Sequence, residues 1–240
     1  MKAYYLPTLF FRKKWIWFQD PHDVSDATMV TFFSYNNCSV GGFSKSVGLT
    51  SVIELTRPIE EIWIAMRSKF IREQIGRGER RGIVVSASDD FPSFYPIYLD
   101  FRKRRKLATE RFETLRKNGT LFLASVEGKV IAGGVFIGDG EHMRALVLAS
   151  TRLENVSGRA RDIIGEANRM VMWAAIKYAK TERYKRFDLG GIDPESTDSG
   201  ARSLAEFKEA FGGVRVAQYY YTKVYSRLLR VWMWLRTFLR

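Results

Sequence analysis

The chain has 240 residues, 46% of them hydrophobic and 27% charged, and a formal net charge of +13 with a pI near 9.9. That length and apolar content give one sizeable domain with appendages and a real core, while the charge draws polyanions such as RNA, nucleotide phosphates or an anionic membrane face. A single cysteine, Cys38, excludes an internal disulfide, and with His22 and His142 the only histidines there is no Cys/His cluster to hold zinc.

The cysteine use points to the cytosol. The apolar start "MKAYYLPTLFFRKKWIWF" is broken by Pro7 and "RKK" before a signal-peptide core or a spanning helix develops, so no export is expected. Residues 1–48 then read as a reduced β-rich region, with "YNNCSVGGFS" as turns between short strands. An alternating strand runs through Glu54 into a helix with Thr56 as N-cap, Pro58 in the first turn and Glu60 and Glu61 at its positive end. Ile59, Ile62, Met66, Phe70 and Glu73 set the stripe of this helix, and Gly76 and Gly78 fray its far end.

"GIVVSAS" is a short strand, and the stretch from Asp89 to Gly119 reads as two helices divided around the "RKRRK" run at 102–106. In "LFLASVEGKVIAGGVFIGDGEHMRALVLAST", Glu127-Gly128 and Asp139-Gly140 are turn dipeptides between apolar runs, which predicts a three-strand antiparallel meander. Ile163, Ala167, Met170, Val171, Ala174 and Tyr178 recur at helical spacing and predict a long core-facing helix. "YKRFDLGGI" is a strand ending at a glycine pair, and "SLAEFKEAFGG" a short helix with Ser203 and Glu206 as capping box and Gly212 as C-terminal cap. A closing strand, "VRVAQYYYTKVY", and a last helix complete the chain. This order is a mixed α+β plan, helices packed on a largely antiparallel sheet, with a domain at 49–225 and a basic-aromatic helix at 226–240.

Two features could carry chemistry. Gly190-Gly191 sits at the carboxyl end of a strand, where glycine marks a plain turn, a bulge or the close approach of a ligand. In the short helix Phe207 and Phe211 lie four apart on one face, the usual spacing of core residues, and Lys208 is rotated by about 100° from Phe207, a direction that ordinarily faces solvent.

Taken together, these stretches resemble a known family. "FDLGGIDPESTDSGARSLAEFKEAFGG" is similar to the carboxyl-terminal signature of the FemABX peptidyltransferases, a branch of the GNAT-like acyltransferases, in which "YDxGG" precedes "FKxxFGG". Further matches follow in the right order: "IELTRPIEEIWIAMRSKFIREQIGRGERRGI" resembles the family's strand and basic helix, "LFLASVEGKVIAGGVFI" its hairpin, and "NRMVMWAAIKYAKTERYKRFDLGG" its "NxxxxWxxIxyA" helix.

The resemblance implies a single GNAT-like domain whose two central strands splay so that acyl donor and amine acceptor meet in the gap. It implies aminoacyl-tRNA as co-substrate, no permanently bound cofactor, and an amine of a cell-envelope precursor as acceptor. Carried over residue by residue, Phe207 stacks on the donor, Lys208 stabilises developing negative charge, and Gly190 and Gly191 flank the reacting carbon. Phe211 and Asn168 fall in the same motifs as substrate contacts.

Several readings stay open. Asp188, Glu166 and Glu206 are carboxylates expected near that end of the sheet, and either one of them or the substrate itself serves as base. Tyr219, Tyr220 and Tyr221 alternate on a strand, so one face packs while Tyr220 or Tyr221 can meet substrate. Arg102, Arg104 and Arg105, with Arg72 and Arg77, form either solvated helix faces or phosphate-binding patches.

The acid-free tail "KVYSRLLRVWMWLRTFLR" describes a helix docked on the core or a partner subunit, or one lying on the inner face of an anionic membrane with Arg236 and Arg240 reaching to the interface. An acyl-CoA-dependent transferase acting on an amino sugar or small amine is the close rival, although the pyrophosphate loop it requires is only faintly echoed in "SGRARDIIGEA". A non-catalytic RNA- or membrane-binding module on the same scaffold is the rival from another class.

Overall fold

The structure is a computed structural model and describes residues 3–7, 11–151 and 158–238. In chain order its strands are β1 (Ala3–Pro7), β2 (Arg12–Trp17), β3 (Met29–Ser34), β4 (Ser44–Glu54), β5 (Val84–Ser88), β6 (Thr120–Val126), β7 (Lys129–Gly138), β8 (His142–Ser150), β9 (Arg186–Ile192) and β10 (Val214–Val224). Its helices are α1 (Ile59–Ala65), a π-helical turn (Ser68–Arg72), α2 (Glu73–Arg80), α3 (Phe91–Arg104), α4 (Phe112–Asn118), α5 (Gly158–Thr181), α6 (Ser199–Glu209) and α7 (Arg227–Phe238). Ser157, at the start of the weak pyrophosphate-loop echo, and Arg240 lie outside the described residues.

Two compact units form, Met1–Thr50 with Val216–Arg240, and Ser51–Arg215. In the first, β1 pairs antiparallel with β2, β2 parallel with β3, and β3 antiparallel with β10 through Tyr219↔Ser34 to Val224↔Met29. This pairing draws residues from Val216 onward into the N-terminal unit, so the division falls earlier than the 225/226 boundary that the sequence suggests. Ile16, Val30, Phe32 and Tyr221 make its core.

The second unit carries the meander. β5, β6, β7 and β8 are antiparallel neighbours, and β9 joins β8 in parallel. The β6–β7 turn is made by Glu127 at φ 50° and Gly128 at φ 77°, the pair of left-handed residues that a two-residue hairpin requires. At the next turn the Asp139 carboxylate accepts from the Glu141 and His142 amides at 2.9 and 2.7 Å.

Pleating gives this sheet two apolar faces. Phe122, Ala124 and Phe136 join the core that includes Ile62, Ile75, Met170, Val171 and Ile176 from the α1, α2 and α5 side, whereas Leu121, Leu123 and Val135 pack with Phe91, Phe94, Tyr98 and Leu115 from α3 and α4. Helices therefore cover both sides of a mixed, largely antiparallel sheet.

Local details depart from the sequence reading in two places. The single helix expected after Glu54 is broken: α1 starts after Pro58 with no side-chain cap, so Thr56 does not serve, and Met66 turns extended at ψ 142°. The chain restarts as the π-helical turn, leaving Phe70 exposed while Ile71 and Ile75 go inside. Gly76 and Gly78 lie within α2, and a Cβ at Gly78 would stand 2.5 Å from Met170 Sδ, so glycine there lets α2 approach α5. Second, α6 begins at Ser199, four residues before the expected capping box, because the Asp198 carboxylate accepts from the Gly200 and Ala201 amides at 3.0 and 3.2 Å.

Candidate active site

β8 and β9 are paired through His142↔Arg186, Met143↔Phe187 and Arg144↔Asp188, and among the described residues their ladder stops there although both strands continue. On its other edge β8 changes register against β7 at the same level: Phe136 faces Ala145, Val135 faces Val147, and Leu146 is the extra residue. A bulge of this kind bends the strand and interrupts its ladder, so the pairing of the two central strands ends at Arg144 and Asp188.

That junction holds buried charge. Asp188 is fully buried and accepts from Arg144 Nη1, and Arg144 is itself buried. Asp188 Oδ1 also accepts from the Gly190 amide at 2.7 Å. A buried ion pair is tolerated only with such further hydrogen bonds, and this one fixes the strand end. Gly190 has φ 90°, and a Cβ there would stand 2.9 Å from Lys208 Nζ and 3.1 Å from the Ala145 carbonyl oxygen. Glycine is required on both conformational and steric grounds.

Lys208 comes to this point from α6. It is 9% exposed, and its Nζ donates to the Gly191 carbonyl oxygen at 2.8 Å. Burial first, and the Arg144 guanidinium second, push its ammonium from the ordinary 10.5 down to about 8, with the Asp188 carboxylate holding it up. At neutral pH it is still mostly a cation. Gly191 takes one of its three donors, and no other hydrogen-bond partner for Nζ is present among the described residues.

Phe207, one residue earlier, is half-buried and meets Phe211 edge-on at 5.4 Å. The Arg169 guanidinium, from α5, lies 5.4 Å from the Phe207 ring centre and 5.6 Å from that of Phe70, and donates to the Phe70 and Gly165 carbonyl oxygens at 2.6 and 2.8 Å. Asn168 ties α5 to the end of β8 through Ser150 Oγ at 3.2 Å.

The structure thus gathers Lys208, Gly190, Gly191 and Asp188. Phe207 sits next to Lys208 on α6, and the remaining candidates lie elsewhere in this unit or belong to the other one. Phe211 is fully buried and has no surface to give a substrate. Glu166 is fully buried against Arg81 Nη1, at 3.0 and 3.1 Å from its two oxygens, and Arg77 Nε at 3.8 Å, and the charges acting on Lys208 are Arg144 and Asp188. Asp188, similarly enclosed, is better suited to orienting than to accepting a substrate proton. Glu206 is exposed, pairs with Arg67 at 3.6 Å, and lines a cleft of about 410 Å³ with Pro194, Arg202 and Glu209. Tyr220 and Tyr221 belong to the other unit, where the Tyr221 phenol donates to the Asn36 carbonyl oxygen and accepts from the Cys38 amide.

The arginines are spread over two places. Arg72 and Arg77 lie on the π-helical turn and α2, and the Arg72 Nε is buried without a hydrogen-bond partner. Arg102, Arg104 and Arg105 end α3, where Arg102 Nε donates to the Ala108 carbonyl oxygen at 2.5 Å and Arg104 pairs with Asp100 at 2.7 Å. Among the described residues no His, Cys, Asp and Glu group could hold a metal.

No family model matches the chain, and no curated protein matches it either. Solved structures do. FemX superposes with a TM-score of 0.65 at 13% identity, over 95% of this chain and 84% of that one. The C-terminal domain of a putative lysylphosphatidylglycerol synthetase from Agrobacterium fabrum gives 0.55 at 13% identity, over 92% and 81%. L-PGS from Bacillus licheniformis gives 0.55 at 15% identity, over 88% and 72%. The chain has the fold of these structures, in agreement with the fold that the motifs implied.

Proposed function

We propose that the protein is an N-acyltransferase that moves an aminoacyl group from the ester of aminoacyl-tRNA to an amine of a cell-envelope precursor. The observation that carries this reading is the buried Lys208 ammonium, fastened to Gly191 just past the point where the β8–β9 pairing ends, with donors to spare. A net charge of +13 favours a polyanionic donor, which is the donor that the motif resemblance implies.

The acceptor nitrogen attacks the ester carbonyl carbon and a C–N bond forms, with the carbonyl π electrons moving to oxygen. Lys208 donates hydrogen bonds to that oxygen in a site sheltered from water, where a fixed cation acts more strongly than in bulk solvent. The C–O bond then breaks, and the departing hydroxyl takes the proton that the amine gives up. Arg144 and Asp188 hold the strand end, Gly190 leaves room beside Nζ, and the exposed part of Phe207 stacks on the donor's terminal base.

The test is native mass spectrometry with charged tRNA, uncharged tRNA and acetyl-CoA offered separately, followed by an assay of aminoacyl transfer to an amine. Preferential binding of charged tRNA with transfer supports the reading. Saturable binding of CoA alone replaces the donor with an acyl thioester, and RNA binding with no transfer to any amine makes the chain a binding module.

A further inference from the structure

We infer that α7 is an interfacial helix that lays its outer apolar stripe on a bilayer of anionic phospholipid. Ser226 caps its start, with Oγ accepting from the Leu229 amide at 3.3 Å, and Leu229, 1% exposed, marks the buried side of the helix. The opposite stripe is uncovered. Leu228 is 79% exposed, Val231 56% and Leu235 49%, a spacing that puts all three on one face, and Leu228 is the most exposed large apolar residue described. The other exposed apolar side chains are scattered along the chain, as on any soluble surface.

Charge selects what covers this stripe. After Glu209 the sequence has no aspartate or glutamate; Arg215 pairs with Glu209 and Lys223 with Asp23, and the basic residues from Arg227 onward are Arg227, Arg230, Arg236 and Arg240. Arg227 and Arg230 are exposed beside the stripe. Pairing α7 with its copy would set these cations against one another, whereas anionic headgroups neutralise them as the leucines enter the acyl boundary. Trp232 and Trp234 add residue types favoured at such boundaries. The helix lies on the surface, since no helix among the described residues is long and apolar enough to cross a membrane.

The experiment is co-sedimentation of the full chain with vesicles of phosphatidylcholine alone and of phosphatidylcholine with phosphatidylglycerol, at low and high salt. We expect association with the anionic vesicles to be at least about tenfold tighter and to weaken with salt. The double variant Leu228→Glu, Leu235→Glu, changed only at exposed positions, should lose about tenfold or more of it with an unchanged melting temperature. Equal binding to both vesicles, no binding, or full binding by the variant overturns the proposal. So does a concentration-dependent dimer that the variant abolishes, which would give the stripe to a second copy. Transfer between soluble substrates is unaffected by these substitutions, so this outcome and that of the proposed activity are separable.

Discussion

Lys208 and Gly191 are joined by a 2.8 Å hydrogen bond from ammonium to carbonyl, which brings two glycine-flanked motifs seventeen residues apart to one point. The bond explains why the amine turns inward instead of into solvent: α6 begins at its Asp198 cap, Phe211 anchors its far end in the core, and Lys208 is carried under the end of β9.

Burying that cation has a cost visible in stability. The folded amine titrates near 8 and the unfolded one near 10.5, so the native state binds fewer protons between those values and stability rises with pH across that window. Below pH 8 the penalty is fully present, on the order of 3 kcal/mol. Comparing urea unfolding of the protein with that of Lys208→Met should show the variant equal or more stable at pH 7, the difference shrinking toward pH 10.5.

Asp188→Asn removes the partner of a buried arginine and should destabilise by about 3–5 kcal/mol in denaturant unfolding. It also removes the charge that holds the Lys208 amine up, so in protein that remains folded the alkaline limb of the rate profile moves below pH 8.

Gly190→Ala forces a side chain into a φ of 90° and places a Cβ 2.9 Å from Lys208 Nζ. The expected stability loss is about 1–3 kcal/mol, with a larger loss in kcat because the amine is displaced. Thermal melts and turnover measured together distinguish this from simple unfolding.

Glu166→Gln tests the carboxylate that the motifs left open as a base. Its pairing with Arg81 and Arg77 predicts a stability loss of about 1–3 kcal/mol and unchanged kcat per folded molecule, measured by unfolding and active-fraction kinetics.

Arg169→Met should raise KM for the donor more than it lowers kcat, since the guanidinium, fixed to the Phe70 carbonyl oxygen, packs against the Phe207 ring. Steady-state kinetics with varied donor concentration measure that split.

Much of this was readable from residue order. Turn dipeptides at Glu127-Gly128 and Asp139-Gly140 and the periodicity of α5 are local signals, and local signals specify the meander and the long helix. The break at Met66 and the glycines inside α2 were not readable, because they answer to Met170 and the α5 surface, far away in sequence. The motifs marked Lys208, Gly190 and Asp188. Arg144 lies outside those motifs, yet a lone arginine in the apolar run "HMRALVLA" carries a signal: a charge on an inner strand must find a buried partner. Arg169 had none, since its role depends on a packing of three elements.

The most direct test of the central claim is the pH dependence of single-turnover transfer from an aminoacyl ester to an amine, for the protein and for Lys208→Met. A cationic Lys208 predicts a rate that falls as pH rises through about 8, and a variant slower by roughly 10²–10³ that lacks this limb. A folded Lys208→Met protein with the full rate and the same alkaline limb would contradict the role assigned to the amine.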